Sequence, residues 1–393
     1  DNFVIIIILK EFYNWGFNKT FNYIVFGGGS KMLKQVKTKN GWVQGLSGNN
    51  ARISVFKGIP FAAPPVEKNR WRAPQPPDNW VGILEAYKFA PISVQDTPGL
   101  SDDIYCREWH VDPEIDMNED CLYLNIWTPA KAASDKLPVL VWFFGGAFQW
   151  GYTPEMEFNG ENIAKRGVIV VSVNYRLGAL GFLTHPEISK ESPDAPANFG
   201  LLDQQAGLKW VRDNISAFGG NPDNVTIAGQ SAGGASVFSH MGSDSSRGLF
   251  HKAVIFSGIF KNPLGDDELM TPKLLKDAEK LGETFFEYLG VNTLEEARAL
   301  NACYIRDKYA AYREKYPFFS IVIDNAFLED EPYNLALQGK SKDIPLLTGN
   351  TSDEFIVFVR EENDGTEDTD IEVASSVIEG GAKTVLNSRS VNG

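Results

Sequence analysis

The chain of 393 residues is poor in cysteine and in positive charge. Its three cysteines are too few for the framework of a disulfide-rich secreted protein. We expect Cys106, Cys121 and Cys303 to be free thiols, although Cys106 and Cys121 could pair. The formal net charge of −14 argues against a nucleic-acid partner, because contact with phosphates requires a basic face.

Long hydrophobic runs are also absent. The apolar run at residues 3–9 is too short to span a bilayer. It has no basic residues before it and no small-residue cleavage site after it, so it is a poor signal peptide. We therefore expect a cytoplasmic protein with no membrane partner. We predict no cofactor and no metal site, and the sequence leaves the oligomeric state open.

The first 31 residues differ from the rest of the chain. Met32 is followed at once by a well-patterned hairpin, whereas the residues before it show no such pattern. We expect residues 1–31 to be an extension that packs poorly. Residues 32–393 are expected to form one domain, because no internal repeat and no linker rich in proline, glycine or serine divides them.

Short strands and helices alternate along most of the chain. Residues 36–65 alternate in polarity between glycines and asparagines, as small antiparallel strands at a sheet edge do. Continuous apolar runs follow, which are typical of strands covered on both faces, at residues 137–144, 168–174, 225–228, 253–256 and 344–348. Leu208, Val211 and Ile215 mark one face of a helix between two of them. This alternation predicts an α/β fold with a mostly parallel sheet.

A helical stretch at residues 265–316 interrupts the alternation. Thr271 and Pro272 predict a helix start, with threonine as the N-cap and proline at the first helical position. Thr293 and Glu296 predict the capping box of another helix. Such a segment could form a cap over a functional site, or it could consist of ordinary crossover helices.

Ser231 lies in the strand-to-helix turn that carries the predicted catalytic chemistry. The apolar strand stops at Gly229, and a helix is predicted from Ala232. A serine between two glycines at a strand-to-helix turn is the nucleophile elbow of the α/β-hydrolases. Glycine at 229 and 233 permits close approach of the backbones. The serine hydroxyl then projects from the turn, and the N–H of Ala232 can donate to an oxyanion.

The other groups that a serine hydrolase needs can be sought around this turn. The strand at 137–144 runs into a small-residue turn that could aim the N–H groups of Gly146 and Ala147 at the same oxygen. A tight turn without function would also need small residues. In α/β-hydrolases the acid follows a later strand. Asp353 and Glu354 follow the strand at 344–348, although adjacent carboxylates in a loop could be merely solvated.

Specific motifs extend well beyond the elbow, from about residue 36 to at least 358. They lie at residues 56–62, 119–127, 145–148, 174–178, 198–204, 218–222, 229–233 and 352–354. In these motifs the chain resembles the type-B carboxylesterases, the cholinesterase/carboxylesterase family of α/β-hydrolases. The resemblance implies a mostly parallel sheet with helices on both faces and an antiparallel N-terminal edge.

The resemblance also implies roles for individual residues. Ser231 matches the family nucleophile, and Glu354 rather than Asp353 matches the acid. The matching oxyanion-hole donors are Gly146, Ala147 and Ala232. Residues with implied structural roles are the ion pairs Arg70–Glu119 and Arg176–Asp203 and the supporting serine Ser257.

The histidines depart from the family pattern. The family base should follow the acid, yet no histidine follows Glu354. His240, nine residues after Ser231, is interpreted as a core or surface residue. We therefore expect the chain to be truncated, its fold to be incomplete at the C-terminus, and its activity to be absent or impaired. The four histidines of the chain are His110, His185, His240 and His251.

Two further departures concern a disulfide and the substrate. Ser93 stands where many members have the cysteine that pairs with the equivalent of Cys121, so this disulfide cannot form. Gln230 stands where cholinesterases carry glutamate, which favours uncharged esters over choline esters.

The predicted function is hydrolysis of small carboxylic esters through a serine acyl-enzyme. The alternative is a non-catalytic, cholinesterase-like interaction protein, against which the intact Ser231, turn and acid argue.

Overall fold

The computed structural model describes residues 32–96, 114–259 and 271–351. Several sequence predictions lie outside the described residues: the extension at 1–31, Cys106, His110, Asp353 and Glu354. Within the described ranges, no helix is long and apolar enough to cross a membrane.

Thirteen strands are described. In chain order they are β1 (Gln35–Lys37), β2 (Trp42–Gln44), β3 (Leu46–Ser47), β4 (Ser54–Pro60), β5 (Ile83–Glu85), β6 (Tyr123–Thr128), β7 (Leu137–Phe143), β8 (Ile169–Val173), β9 (Gly220–Gln230), β10 (Lys252–Phe256), β11 (Lys273–Leu274), β12 (Val322–Ile323) and β13 (Leu346–Gly349). Eight of them form one sheet in the order β13-β10-β9-β7-β8-β6-β4-β3.

The direction of the strands divides this sheet in two. The pairs from β13 to β8 are parallel. The pairs β8–β6, β6–β4 and β4–β3 are antiparallel. The predicted mostly parallel sheet with an antiparallel N-terminal edge is therefore confirmed. β9 is longer than the predicted strand at 225–228, because Gly220 pairs with Leu137 ahead of an irregularity in the register.

The described α-helices lie between and beyond these strands. They are α1 (Glu161–Ala164), α2 (Gly178–Phe182), α3 (Pro186–Glu191), α4 (Phe199–Asn214), α5 (Ala232–Gly242), α6 (Leu275–Leu289), α7 (Leu294–Ala299), α8 (Ala302–Arg313) and α9 (Pro332–Leu337). Successive residues of a strand face opposite sides of a sheet. Val171 packs in one core cluster with Leu208 of α4, whereas Val170 packs in another with Ala164 of α1. Helices therefore cover both faces.

The start of α6 differs from its prediction. The helix begins at Leu275, with Leu274 as its N-cap residue, rather than at Thr271 and Pro272. Lys273 and Leu274 instead form β11, which pairs in parallel with the distant β12. The predicted start of the next helix is confirmed, because α7 begins at Leu294 and the Thr293 hydroxyl accepts a hydrogen bond from the Glu296 N–H. The capping box is only half formed, since the Glu296 carboxylate accepts from the N–H of Asn292 rather than from that of Thr293.

Arg70 joins the N-terminal part of the chain to α7. Its guanidinium forms two hydrogen bonds of 2.6 Å to the carboxylate of Glu119, as the family resemblance implies. Its Nη1 also donates to the carbonyls of Ala297, Arg298 and Leu300 at the C-terminal end of α7. A positive charge at this position also complements the helix dipole.

The two described cysteines are free, as predicted. Cys121 is buried, and the residue in the place of the family's cysteine is the buried Ser93, whose hydroxyl accepts a hydrogen bond from the N–H of Leu177. Burial raises the pKa of the Cys121 thiol far above its usual value. A buried thiol of this kind is chemically inert.

Candidate active site

Ser231 occupies a strained turn between β9 and α5. Its backbone has φ 54° and ψ −126°, a conformation that a residue with a Cβ rarely adopts. Its N–H donates to the carbonyl of Phe256 at the end of β10, over 2.9 Å. The residue is partly exposed, and its hydroxyl makes no hydrogen bond within the part of the chain that the structure describes. The hydroxyl is therefore available to a substrate and a base.

The glycines on either side of Ser231 permit the tight turn that the sequence predicts. A Cβ added at Gly229 would lie 2.3 Å from the backbone of Gly233. A Cβ added at Gly233 would lie 2.1 Å from the carbonyl oxygen of Phe143, the last residue of β7. Neither contact can be relieved by rotating a side chain. The first turn of α5 thus packs directly on the end of the neighbouring strand.

The small-residue turn after β7 lies against this elbow. We call residues 145–151 the oxyanion turn. A Cβ added at Gly145 would lie 3.1 Å from the Cβ of Ser231 and 2.7 Å from the carbonyl oxygen of Gln230. Gly146, Ala147 and Phe148 have φ values of 110°, 51° and 62°. The structure therefore brings together the predicted nucleophile and the turn that carries two of its predicted oxyanion donors.

The hydrogen bonds of the oxyanion turn leave the N–H groups of Gly146 and Ala147 without a partner among the described residues. The carbonyl of Gly146 accepts from the N–H groups of Gln149 and Trp150, and that of Phe148 accepts from the N–H of Gly178. The N–H groups of Gly146 and Ala147 donate to none of the described residues, and neither does that of Ala232 at the start of α5. Among the described residues, the three predicted oxyanion donors thus have no hydrogen-bond partner, and the turn that carries two of them lies against Ser231. Unpaired amide donors are what the predicted oxyanion hole requires, and their role in it stays a prediction.

Two buried glutamines support the turn, and the sequence analysis did not identify either of them. Gln95 donates from Nε2 to the carbonyl of Gly151, and its Oε1 accepts from the N–H of the same residue. Gln149 donates from Nε2 to the carbonyl of Ala147. No local sequence pattern marks such residues, since their partners are backbone groups.

His240 is a core residue, as one of the two sequence interpretations holds. It is 1% exposed, and its ring nitrogens hydrogen bond with Ser246 and Gln204. Burial lowers the pKa of His240 to about 3, so the ring stays neutral. Its ring also packs against that of Phe143, with 5.5 Å between centroids.

The other described histidines also have partners remote from Ser231. The Nδ1 of His185 accepts from the N–H of Glu187, and its ring stacks on Phe286. The Nδ1 of His251 accepts from the N–H of Val225 at the other end of the strand segment that leads to the elbow. Within the described ranges, no histidine hydrogen bonds with Ser231.

The end of β10 connects the elbow to the strand before the predicted acid. Phe256 accepts from Ser231, and the N–H of Ser257 donates to the carbonyl of Gly349 at the end of β13. Glu354 follows that strand and lies outside the described residues, so its role stays a prediction. No group of three or more possible metal ligands occurs among the residues that the structure describes.

The strain at Ser231 gives a prediction about stability. A non-glycine residue in such a conformation costs about 1–3 kcal/mol. We expect Ser231→Gly to raise the free energy of unfolding by about 1 kcal/mol, after the greater flexibility of glycine in the unfolded chain is counted. Ser231→Ala keeps the strain and serves as the control. Urea denaturation measures both variants, and equal stabilities for them would contradict the prediction.

A mostly parallel sheet with a strained serine between a strand and a helix defines the α/β-hydrolase class. A model of the carboxylesterase family matches residues 33–388. The chain therefore belongs to the carboxylesterase family, which confirms the resemblance inferred from its motifs.

Individual relatives agree with this assignment. The chain is 37% identical over 331 residues to para-nitrobenzyl esterase of Bacillus subtilis, covering 84% of this chain and 64% of that protein. It is 36% identical over 341 residues to cholinesterase of Mus musculus, covering 82% and 54%. A solved structure of a PNB esterase matches with a TM-score of 0.72 and 36% identity, covering 83% and 65%. The chain thus spans between about half and two thirds of the length of these relatives.

Proposed function

We propose that this protein hydrolyses small, uncharged carboxylic esters through an acyl-enzyme on Ser231. The observation that carries the proposal is the contact between the elbow and the oxyanion turn. In this contact the backbone at Gly145 lies against Ser231, and the N–H groups of Gly146 and Ala147 have no hydrogen-bond partner among the described residues. A protein that only binds a partner has no need of a strained serine at this position. Membership of the carboxylesterase family supports the same reaction class.

The proposed reaction follows from these groups. The Oγ of Ser231 attacks the carbonyl carbon of the ester while a base takes the hydroxyl proton. The carbonyl oxygen becomes an oxyanion, which accepts hydrogen bonds from the N–H groups of Gly146, Ala147 and Ala232. Collapse of this intermediate releases the alcohol, with the proton returned by the base, and leaves the acyl group on Ser231. Water then hydrolyses the acyl-enzyme by the same steps. In the family pattern the base is a histidine that Glu354 would orient.

The residue beside the nucleophile bears on the choice of ester. Gln230 carries no charge, whereas cholinesterases carry glutamate at the matching position. Its Oε1 lies toward Gly145, 3.0 Å from where a Cβ would stand on that glycine. A cationic alcohol therefore finds no opposite charge on this side chain. We propose neutral esters as the substrate class, although cholinesterase is among the relatives.

The base is the group that the described site lacks, so added imidazole provides the test. We expect the 393-residue chain alone to hydrolyse p-nitrophenyl butyrate slowly. Imidazole can take the hydroxyl proton, so we expect turnover to rise and saturate as its concentration increases. An oxyanion hole without the base retains about 10³-fold catalysis over water, which sets the scale of the starting rate.

Ser231→Ala is the control for this experiment. Imidazole itself cleaves p-nitrophenyl esters, and the variant measures that background because it lacks the nucleophile but keeps the turn. We expect the serine-dependent part of the rate to vanish in Ser231→Ala. Equal rates for the two proteins at every imidazole concentration would refute the proposed function.

A further inference from the structure

The carbonyl of Ala147, in the middle of the oxyanion turn, is held by a side chain rather than by the backbone. The Nε2 of Gln149 donates to the carbonyl oxygen of Ala147 over 3.1 Å and to that of Phe319 over 3.0 Å. Both partners can only accept, so the NH₂ end of the amide must face them. A single buried amide group therefore connects the oxyanion turn to the segment that follows α8.

The segment that Gln149 contacts is itself held in place. The N–H of Phe319 donates to the Tyr309 hydroxyl, and the two rings stack with 4.9 Å between centroids. The guanidinium of Arg313, at the end of α8, lies 5.7 Å from the ring of Trp150 and 5.5 Å from that of Tyr309. The second acceptor of Gln149 thus belongs to a packed structure and not to a free loop.

The oxygen of the Gln149 amide, Oε1, does not stabilise the turn in the way that Nε2 does. The side chain is buried, 4% exposed, yet its Oε1 accepts no hydrogen bond from any residue that the structure describes. This oxygen lies toward Gly178, in the wall of a cavity of about 20 Å³. A buried acceptor without a partner is destabilising. The contribution of Gln149 to the structure of the turn therefore comes from its Nε2 donor.

The donor acts on the peptide group next to a predicted catalytic amide. The peptide that carries the Ala147 carbonyl lies between two non-glycine residues with positive φ, Ala147 and Phe148. Fixing this carbonyl restrains ψ of Ala147 and thereby keeps its backbone in a conformation that alanine otherwise avoids. The N–H of Ala147 then keeps its direction although it donates to none of the described residues.

We propose that Gln149 is a positioning residue, which holds the N–H of Ala147 in the direction that the oxyanion requires. This inference rests on the proposed function and names the residue that orients one of its oxyanion donors. The geometry of a donor matters most when negative charge has developed on the oxygen. Loss of the Gln149 donor is therefore expected to lower kcat and leave KM nearly unchanged.

The kinetic test uses Gln149→Met, which keeps the length of the side chain and removes the donor. In the imidazole-supplemented assay we expect kcat to fall by at least about 10-fold, against the 10²–10³-fold typical of losing one whole donor. We expect KM to stay within about twofold. Gln205→Met is the matched control, because Gln205 is also buried and donates only to Ser245 and Ser246. A kcat for Gln149→Met within twofold of the parent protein would overturn the proposal.

Gln149→Glu adds a pH profile that a merely structural role would not give. A carboxylate facing two carbonyls cannot donate, but the protonated carboxyl group can. Burial raises the pKa of such a carboxyl group above its usual value. We expect kcat, taken relative to the parent protein, to recover as the pH falls from 8.5 to 5.5. Impairment equal to that of Gln149→Met even where the carboxyl group is protonated would show that the donor is not what matters.

A spectroscopic readout separates this proposal from the proposed function. In protein labelled with ¹⁵N-alanine, we expect the amide resonance of Ala147 to shift and broaden in Gln149→Met, and to stay unchanged in Gln205→Met. This measurement does not depend on turnover. An unchanged Ala147 resonance would overturn the positioning role, even if Ser231-dependent hydrolysis is found. A shifted resonance without any hydrolysis would support the positioning and refute only the esterase.

Discussion

Replacing Gly233 with alanine is expected to lower the free energy of unfolding by about 3 kcal/mol, and by more if the elbow cannot relax. The added Cβ would lie 2.1 Å from the carbonyl oxygen of Phe143 and 2.7 Å from that of Phe144. Both atoms belong to the backbone at the end of β7, so neither can move without disturbing the central sheet. Urea denaturation measures the loss. The same displacement would separate the elbow from the oxyanion turn, so we also expect serine-dependent hydrolysis to disappear.

Gly290→Ala is the control for this substitution. Gly290 has φ 76° at the end of α6, and a Cβ there meets nothing within 4 Å. Its replacement adds only the cost of a left-handed backbone, about 1–2 kcal/mol. A loss at Gly233 no larger than that at Gly290 would contradict the close packing of α5 on β7.

The second large effect is expected from Asp203→Asn. Asp203 is fully buried, and its carboxylate accepts three hydrogen bonds from Arg176, two from the guanidinium and one from the backbone N–H. Burial raises the pKa of Asp203, so the partner is what keeps the carboxylate charged. Asparagine would leave the Arg176 charge buried without its partner. Breaking such a pair costs about 3–5 kcal/mol.

A double-mutant comparison distinguishes the effect of the Arg176–Asp203 ion pair on stability from the effect of lost packing. Removing both charges in Arg176→Met with Asp203→Leu should cost less than Asp203→Asn alone, because no unpaired charge remains. Asp213→Asn is the surface control, since the ion pairs of Asp213 with Lys39 and Arg212 are partly exposed and should be worth less than about 1 kcal/mol. A double variant that loses as much stability as Asp203→Asn, or more, would refute the coupling.

The central sheet and the elbow could be predicted from the sequence because local residues determine them. The strands β7, β8 and β10 are continuous apolar runs whose neighbours are turn residues, and they were found within one or two residues. The glycines at 229 and 233 predict that backbone segments approach each other closely at the elbow, and the structure confirms this approach. The implied ion pairs of Arg70 and Arg176 were also correct, but they came from the family motifs and not from local chemistry.

The features that the sequence did not reveal depend on distant partners. Lys273 and Leu274 form a strand because Val322 and Ile323 lie beside them, and nothing near Thr271 indicates this. Gln149 was overlooked for the same reason, since its two acceptors are backbone carbonyls and one of them is 170 residues away. From sequence alone, a polar residue in a loop is interpreted as solvent-exposed, because the distant segment that covers it cannot be identified.

The contacts of Arg70 also set an order of events during synthesis. Its partner Glu119 is only 49 residues further along the chain, whereas the carbonyl of Leu300 is 230 residues away. At ribosomal speeds of about 5–20 residues per second, the two encounters are separated by roughly 10–40 s. A nascent chain can therefore neutralise the arginine long before the helix that it caps has emerged.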